Sequence, residues 1–220
     1  LQRETGIPDF AHFMTVAGAF DYQQAAVIRV PADAVEGNQA DAHSRYIIDH
    51  FAEYEVPHCG TLALFSSRRQ MEQVYDELSK ELQKNILIQG KLSNREMVRL
   101  HKERIDQGRT SVLMGLASFA EGVDLPGDYC RHVVIAKLPF AVPDDPLHEA
   151  LSEWIEAKGG NSFFDISLPI ASLRLVQACG RLLRTEKDTG TVTILDKRLI
   201  TKRYGTQLLN GLPPFRREIG

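Results

Sequence analysis

Apolar positions along the chain fall into two alternating patterns. Short, nearly continuous apolar runs occur at AAVIRV (25–30), TLALFSS (61–67), NILIQG (85–90), TSVLMGLAS (110–118), HVVIAKLPF (132–140) and TGTVTILD (189–196). Between them lie stretches whose apolar residues recur three and four positions apart: 38–55 (Ile47, Ile48, Phe51, Tyr54), 68–83, 93–106, 145–160, 169–184 and 199–212. The runs predict strands buried on both faces, and the spaced stretches predict amphipathic helices. Ser93 with Glu96 predicts a capping box at the start of one of them. Strands alternating with helices predict an α/β domain of three layers, with a mainly parallel sheet and helices on both faces. In such sheets binding groups gather in the loops at the carboxyl ends of the strands. The last residues, PPFRREIG (213–220), read as a frayed basic end.

Two stretches do not reduce to this pattern. In VQACGRLLR (176–184), a helix at about 100° per residue puts Val176, Cys179, Leu182 and Leu183 on one apolar arc, with Leu175 just upstream. Gln177, Arg181 and Arg184 fall on the opposite side, and Arg174 extends their stripe. Like charges at these spacings repel by a few tenths of a kcal/mol per pair, and Gly180 within a helix costs about 1 kcal/mol relative to Ala. A solvated helix face accounts for the arginines but gives the glycine no purpose; close approach of a ligand or of another backbone does. A row of guanidinium groups suits a polyphosphate, whose oxygens accept bidentate hydrogen bonds. The second stretch is SFAEGVDLPGD (118–128). Gly122 and Gly127 allow unusual backbone angles, and the Asp124 carboxylate suits a ribose hydroxyl, although an ordinary strand-to-helix turn uses the same residue types.

Composition narrows the chemistry. The 220 residues carry a net charge of −3, so binding to nucleic acid has to come from a local basic patch. Cys59, Cys130 and Cys179 lie far apart with no CxxC pair, which argues against a metal or cluster site in this chain and fits a reducing cytoplasm. No apolar run reaches membrane length, and no signal sequence is visible. The chain has no GxxxxGK[ST] loop and no GxGxxG after a strand. Asp76-Glu77 falls in mid-helix, as solvated surface does, and His148-Glu149 lacks the second histidine of HExxH. Without a nucleophilic triad either, self-contained catalysis is not expected.

An EGxD turn followed about fifty residues later by QxxGRxxR on a helix resembles motifs V and VI of superfamily-two helicases. Within that superfamily the chain resembles the second motor domain of the DinG/XPD branch. SFAEGVDLPG is similar to its motif V, and TLALFSSRRQM (61–71) to its motif IV. IAKLPFAVPDDP (135–146) is similar to its strand and proline-rich loop, and DKRLITKRYG (196–205) to the stretch after motif VI. The resemblance implies a RecA-like domain over 25–215. Residues 1–24 would then be a segment at the border with a first motor domain outside this chain, Leu1 matching the last residue of motif III, and 216–220 a tail.

It further implies an ATP-dependent 5′-to-3′ DNA helicase of the bacterial cytoplasm, acting on single-stranded or forked DNA. ATP and Mg2+ would be held mainly by the first domain, which would also carry the iron–sulfur cluster. Arg181 and Arg184 would meet the γ-phosphate with Gln177 beside them, and Gly122, Asp124 and Gly180 would border the nucleotide. Ser66, Ser67, Arg68, Gln89, Gly90, Lys91, Ser118 and Phe119 would follow the DNA strand. Two other readings remain open: a different superfamily-two translocase or RNA helicase, and a non-catalytic nucleic-acid-binding module.

Overall fold

The computed structural model describes residues 21–53, 59–140 and 146–220. Residues 1–20 of the expected border segment and 141–145 of the proline-rich loop lie outside the described residues. The strands are β1 (Ala26–Val30), β2 (Gly60–Phe65), β3 (Ile86–Ile88), β4 (Ser111–Leu116), β5 (His132–Ile135), β6 (Gly190–Ile194) and β7 (Arg216–Ile219). Among the described residues they form one sheet in the order β3-β4-β2-β5-β6-β1-β7, with every neighbouring pair parallel. The helices are α1 (Tyr22–Ala25), α2 (Ala40–Glu53), α3 (Arg68–Glu77), α4 (Lys80–Asn85), α5 (Asn94–Asp106), α6 (Ala117–Glu121), α7 (Pro146–Ala157), α8 (Leu168–Cys179), α9 (Arg198–Thr201) and α10 (Arg203–Gly211).

Strand β2 shows why the expected layers form. Side chains alternate across a strand. Leu62 and Leu64 pack with Met97 of α5, Phe119 of α6, Leu175 of α8 and Leu208 of α10. Ala63 and Phe65 pack on the other face with Ile47 and Phe51 of α2 and Met71 and Val74 of α3. Both faces of β2 are apolar because both are covered, as parallel sheets require.

Four expectations change, one of them at 199–212, where the extended Lys202 (φ −100°, ψ 145°) divides the expected helix into α9 and α10. The stretch 68–83 is two helices, because Ser79 accepts the amide of Leu82 at 3.3 Å and starts a new one. Gln83 donates to the carbonyls of Tyr75 (2.8 Å) and Leu78 (3.0 Å), satisfying groups that the end of α3 leaves open. At 93–106 Ser93 accepts the Glu96 amide, but the Glu96 carboxylate turns to Arg99 instead of closing the box. The supposed frayed tail is strand β7, paired in parallel with β1 through Ile28 and Arg217 and closed by Arg29 on Glu218. Its RREI lacks an apolar alternation because it is an exposed edge, the position where charged residues are expected.

At the carboxyl edge of the sheet the buried Asp196 gathers three loops. It accepts the amides of Gly37 and Leu138 at 3.0 Å each, and it is paired with Arg198 at 2.6 Å. Burial opposes its ionisation, but Arg198 and these amides hold its pKa below the ordinary value.

Candidate functional site

The motif V stretch is built differently from a strand-end turn. β4 stops at Leu116, and α6 carries Ser118 and Phe119 before the loop begins. Gly122 caps this helix with an ordinary φ of −98°, so it does not use its conformational freedom. Gly127 does: its φ is +62°, in the left-handed region that favours glycine. Between them the buried side chains of Val123 and Leu125 anchor the loop to the core, and the Asp124 carboxylate stands 78% exposed.

Motif VI meets this loop end-on. Helix α8 stops at Cys179, so Gly180 lies just past its last residue, not within it, at φ −65° and ψ −11°. A Cβ at position 180 would sit 3.4 Å from the Val176 carbonyl, an ordinary contact, so the chain's own packing does not require glycine there. Arg181 and Arg184 therefore come from a turn. Arg181 Nη1 donates to the Val123 carbonyl at 3.2 Å and Arg184 Nη2 to the same oxygen at 3.4 Å. Arg184 Nε lies 3.6 Å from Asp124 Oδ1. Burial, reinforced by the charge of Arg184, lowers the pKa of Arg181. Gln177, exposed one turn earlier, lines a narrow crevice with Arg174, Arg181 and Glu121. Arg174, on the same crevice, donates instead to the Pro139 carbonyl at 3.3 Å.

Sequence reasoning misses the residue that joins the two motifs. Asp188, 5% exposed, accepts the amide of Gly127 on Oδ1 (3.2 Å) and the amides of Arg184 (2.7 Å) and Thr185 (2.8 Å) on Oδ2. The Thr185 hydroxyl adds a fourth bond at 2.7 Å. Burial would raise its pKa; the hydroxyl and the three amides outweigh it and hold the pKa below the ordinary value. The T-x-x-D spacing is a visible turn signal, but the partner at Gly127 is distant in sequence.

Six of the eight residues expected on the DNA line two clefts. Arg68, Gln89, Gly90 and Lys91 line one of about 290 Å3, floored by Tyr75 and edged by Glu72 and Asp76. Gln89 Oε1 accepts the Leu116 amide at 2.9 Å, which fixes the loop after β3. Gly90 has φ +104°, and a Cβ there would lie 3.1 Å from Arg68 Nη1. Lys91 Nζ stands 3.9 Å above the Tyr75 ring, and Arg68 lies 3.8 Å from Glu72. Ser66 and Ser118 share the second cleft, of about 210 Å3, with Glu121, Phe140 and Arg174. Ser67 instead caps α3, accepting the Gln70 amide at 3.4 Å. Phe119 corrects an expectation: its side chain is 1% exposed and packs across Gly115, so its ring belongs to the core and offers no face to a base.

Among the described residues no three His, Cys, Asp or Glu side chains are placed to hold a metal ion. Burial pushes the Cys130 and Cys179 thiols up to about 12, which disfavours the thiolate a metal or cluster would need. Among the described residues the cysteines are therefore not placed or poised to hold an iron–sulfur cluster. Asp76, Glu77 and Glu149 are exposed, as solvated surface is. Among the described residues no helix is long and apolar enough to cross a membrane.

The family described as "Helicase C-terminal domain" matches residues 53–215. The ATP-dependent DNA helicase DinG of Photobacterium profundum is 44% identical over 99% of this chain and 32% of its own length. The ATP-dependent DNA helicase DinG of Escherichia coli (strain K12) is 36% identical over 98% of this chain and 31% of its own length. The chain thus spans about a third of the length of these curated relatives. A solved XPD helicase structure superposes with a TM-score of 0.63, covering 89% of this chain and 36% of that one at 18% identity. That likeness speaks for the RecA-like fold.

Proposed function

The chain belongs to the family of helicase C-terminal domains, and we propose that it is the second motor lobe of an ATP-dependent 5′-to-3′ DNA helicase of the DinG/XPD branch. In this reading ATP and Mg2+ are held by a first motor lobe of the same bacterial, cytoplasmic protein, where the iron–sulfur cluster also belongs, and residues 25–215 close over the nucleotide. The substrate is single-stranded or forked DNA. The observation that carries the reading is the convergence of Arg181 and Arg184 on the Val123 carbonyl beside Asp124.

Each guanidinium uses one donor on that carbonyl and keeps others for phosphate oxygens. When water attacks the γ-phosphorus and the bond to ADP breaks, negative charge spreads over the transferring oxygens. Two cations placed there beforehand stabilise it without reorganising. The repulsion between them is a small cost in the free domain that bound nucleotide relieves. Gln177 and Gly180 border the same space, and Gly122 with Asp124 links it to the DNA side. There the hydroxyls of Ser66 and Ser118, the Gly90 backbone, and Arg68 and Lys91 follow phosphates without reading sequence.

The test is ATP turnover of the full-length protein stimulated by single-stranded DNA. Arg181→Ala or Arg184→Ala is expected to lower kcat by about a thousandfold or more, with unchanged circular dichroism. Arg174→Ala, turned toward Pro139, should do far less. Near wild-type turnover in either of the first two variants would remove that arginine from the phosphate.

A further inference from the structure

We propose that Asp188 is the positioning residue that sets the arginine pair against the motif V loop. The inference rests on the reading of Arg184 given above. The Asp188 carboxylate reaches two different segments, and its Oδ1 serves both, since it also accepts the Thr185 hydroxyl at 2.7 Å. Oδ1 takes the Gly127 amide at the end of the EGVDLPG loop, and Oδ2 takes the Arg184 and Thr185 amides at the end of motif VI. The loop that presents Val123 and Asp124 and the turn that presents Arg181 and Arg184 are therefore fastened to one carboxylate. The guanidinium contacts to Val123 and Asp124 are long, 3.2 to 3.6 Å, whereas the bonds from Asp188 to the turn are 2.7 and 2.8 Å. The short bonds hold the backbone of the turn, the Gly127 amide ties the loop to the same carboxylate at 3.2 Å, and the guanidinium groups remain free to exchange the carbonyl for a phosphate.

A carboxylate suits this task better than an amide. Each oxygen accepts two N–H or O–H donors, and an ionised acceptor roughly doubles the strength of each bond. Asparagine offers one oxygen in place of two, and its NH2 would face amide donors. Gly127 is required for the same arrangement, since its positive φ lets the loop present its amide to Asp188. A displacement of about 1 Å between the loop and the turn is enough to cost on the order of a hundredfold in rate when the displaced group stabilises a transition state.

The experiment uses the full-length protein with Asp188→Ala, Asp188→Asn, Arg184→Ala and the Asp188→Ala/Arg184→Ala double variant. DNA-stimulated ATP turnover is measured for each. Amide hydrogen exchange is followed in peptides covering 122–131 and 181–190. Asp188→Ala should lower kcat by about a hundredfold while KM for ATP moves far less, and Asp188→Asn should recover part of the loss. The double variant should lose clearly less than the product of the two single losses, because with Arg184 gone Asp188 has only Arg181 left to position. Exchange should rise in both peptides together in Asp188→Ala. Multiplying losses in the double variant, wild-type kcat in Asp188→Ala, or a rise in exchange confined to 181–190 would each overturn the proposal. If Asp188→Ala does not fold, the Asp188→Asn kcat and exchange decide in the same terms. Full turnover in Arg184→Ala would instead sink the assignment of that arginine, and the paired exchange would still judge the fastening.

Discussion

Ser118 and Phe119 are neighbours on α6, one exposed and the other buried in the core against Gly115. Phe119→Ala should lower the unfolding free energy by about 3–5 kcal/mol in a urea titration, the usual cost of emptying a buried aromatic site. Ser118→Ala should stay within about 0.5 kcal/mol. A small shift for Phe119→Ala would mean that its ring is not core. The contrast shows what a sequence can deliver at this scale. The convergence of Arg181 and Arg184 beside Asp124 is legible because their spacing is itself the signal. Phe119 is not, because a ring before a loop looks the same whether it faces a base or a core. Asp188 is not, because its meaning arises only when Gly127 is folded beside it. Gly180 is half legible: its place next to the arginines is right, but the helix ends before it, and no contact within the chain explains it.

At the scale of elements, alternating runs and helical stretches suffice to place nearly every strand and helix, since a parallel sheet writes both of its faces into apolar sequence. Edge and split elements escape this rule: β7 is charged, and α3 and α4 divide at a cap that interrupts no apolar period. The sheet order places β4 between β2 and β3, and Arg68 and Lys91 line one cleft across it, the loop after β3 being tied to Leu116 by Gln89. If single-stranded DNA follows this cleft, each phosphate neutralised contributes roughly −0.7 to the slope of log affinity against log salt. Arg68→Ala in the full-length protein should weaken unrelated oligonucleotides about equally and make the slope shallower by up to that amount. Lys91→Ala should do less, because its ammonium is already engaged by the Tyr75 ring and Glu72 and Asp76 edge the same cleft. Unchanged affinity and slope in both variants would remove the cleft from the DNA path.

Across the whole molecule, the motif V turn is held from two sides, and both supports depend on protonation. At one end of the turn Gly127–Cys130 the Gly127 amide meets the Asp188 carboxylate. At the other, His101 bridges α5 to the sheet, with Nε2 2.8 Å from the Tyr129 carbonyl and Nδ1 2.9 Å from the Ser111 hydroxyl. A carbonyl only accepts, so Nε2 carries the proton and Nδ1 accepts from Ser111 in a neutral ring. Burial lowers the pKa of His101 to about 4 and that of the similarly buried His132 to about 3. Both values lie below the unfolded 6.5, so as pH falls the unfolded chain takes up these protons first. The stability from each histidine is complete above about pH 6.5 and is lost as pH falls toward its folded value. For His101 the loss is about 3 kcal/mol between pH 6.5 and 4. Asp188 and Asp196, held below the ordinary 3.8, add their losses only at still lower pH. Urea midpoints of the full-length protein should therefore fall steadily from pH 7 to 4.5. His101→Gln should be less stable at pH 7 and should lose less on acidification, its profile converging on the wild type near pH 4. Parallel profiles for the two proteins would show that His101 does not set the acid sensitivity of this turn.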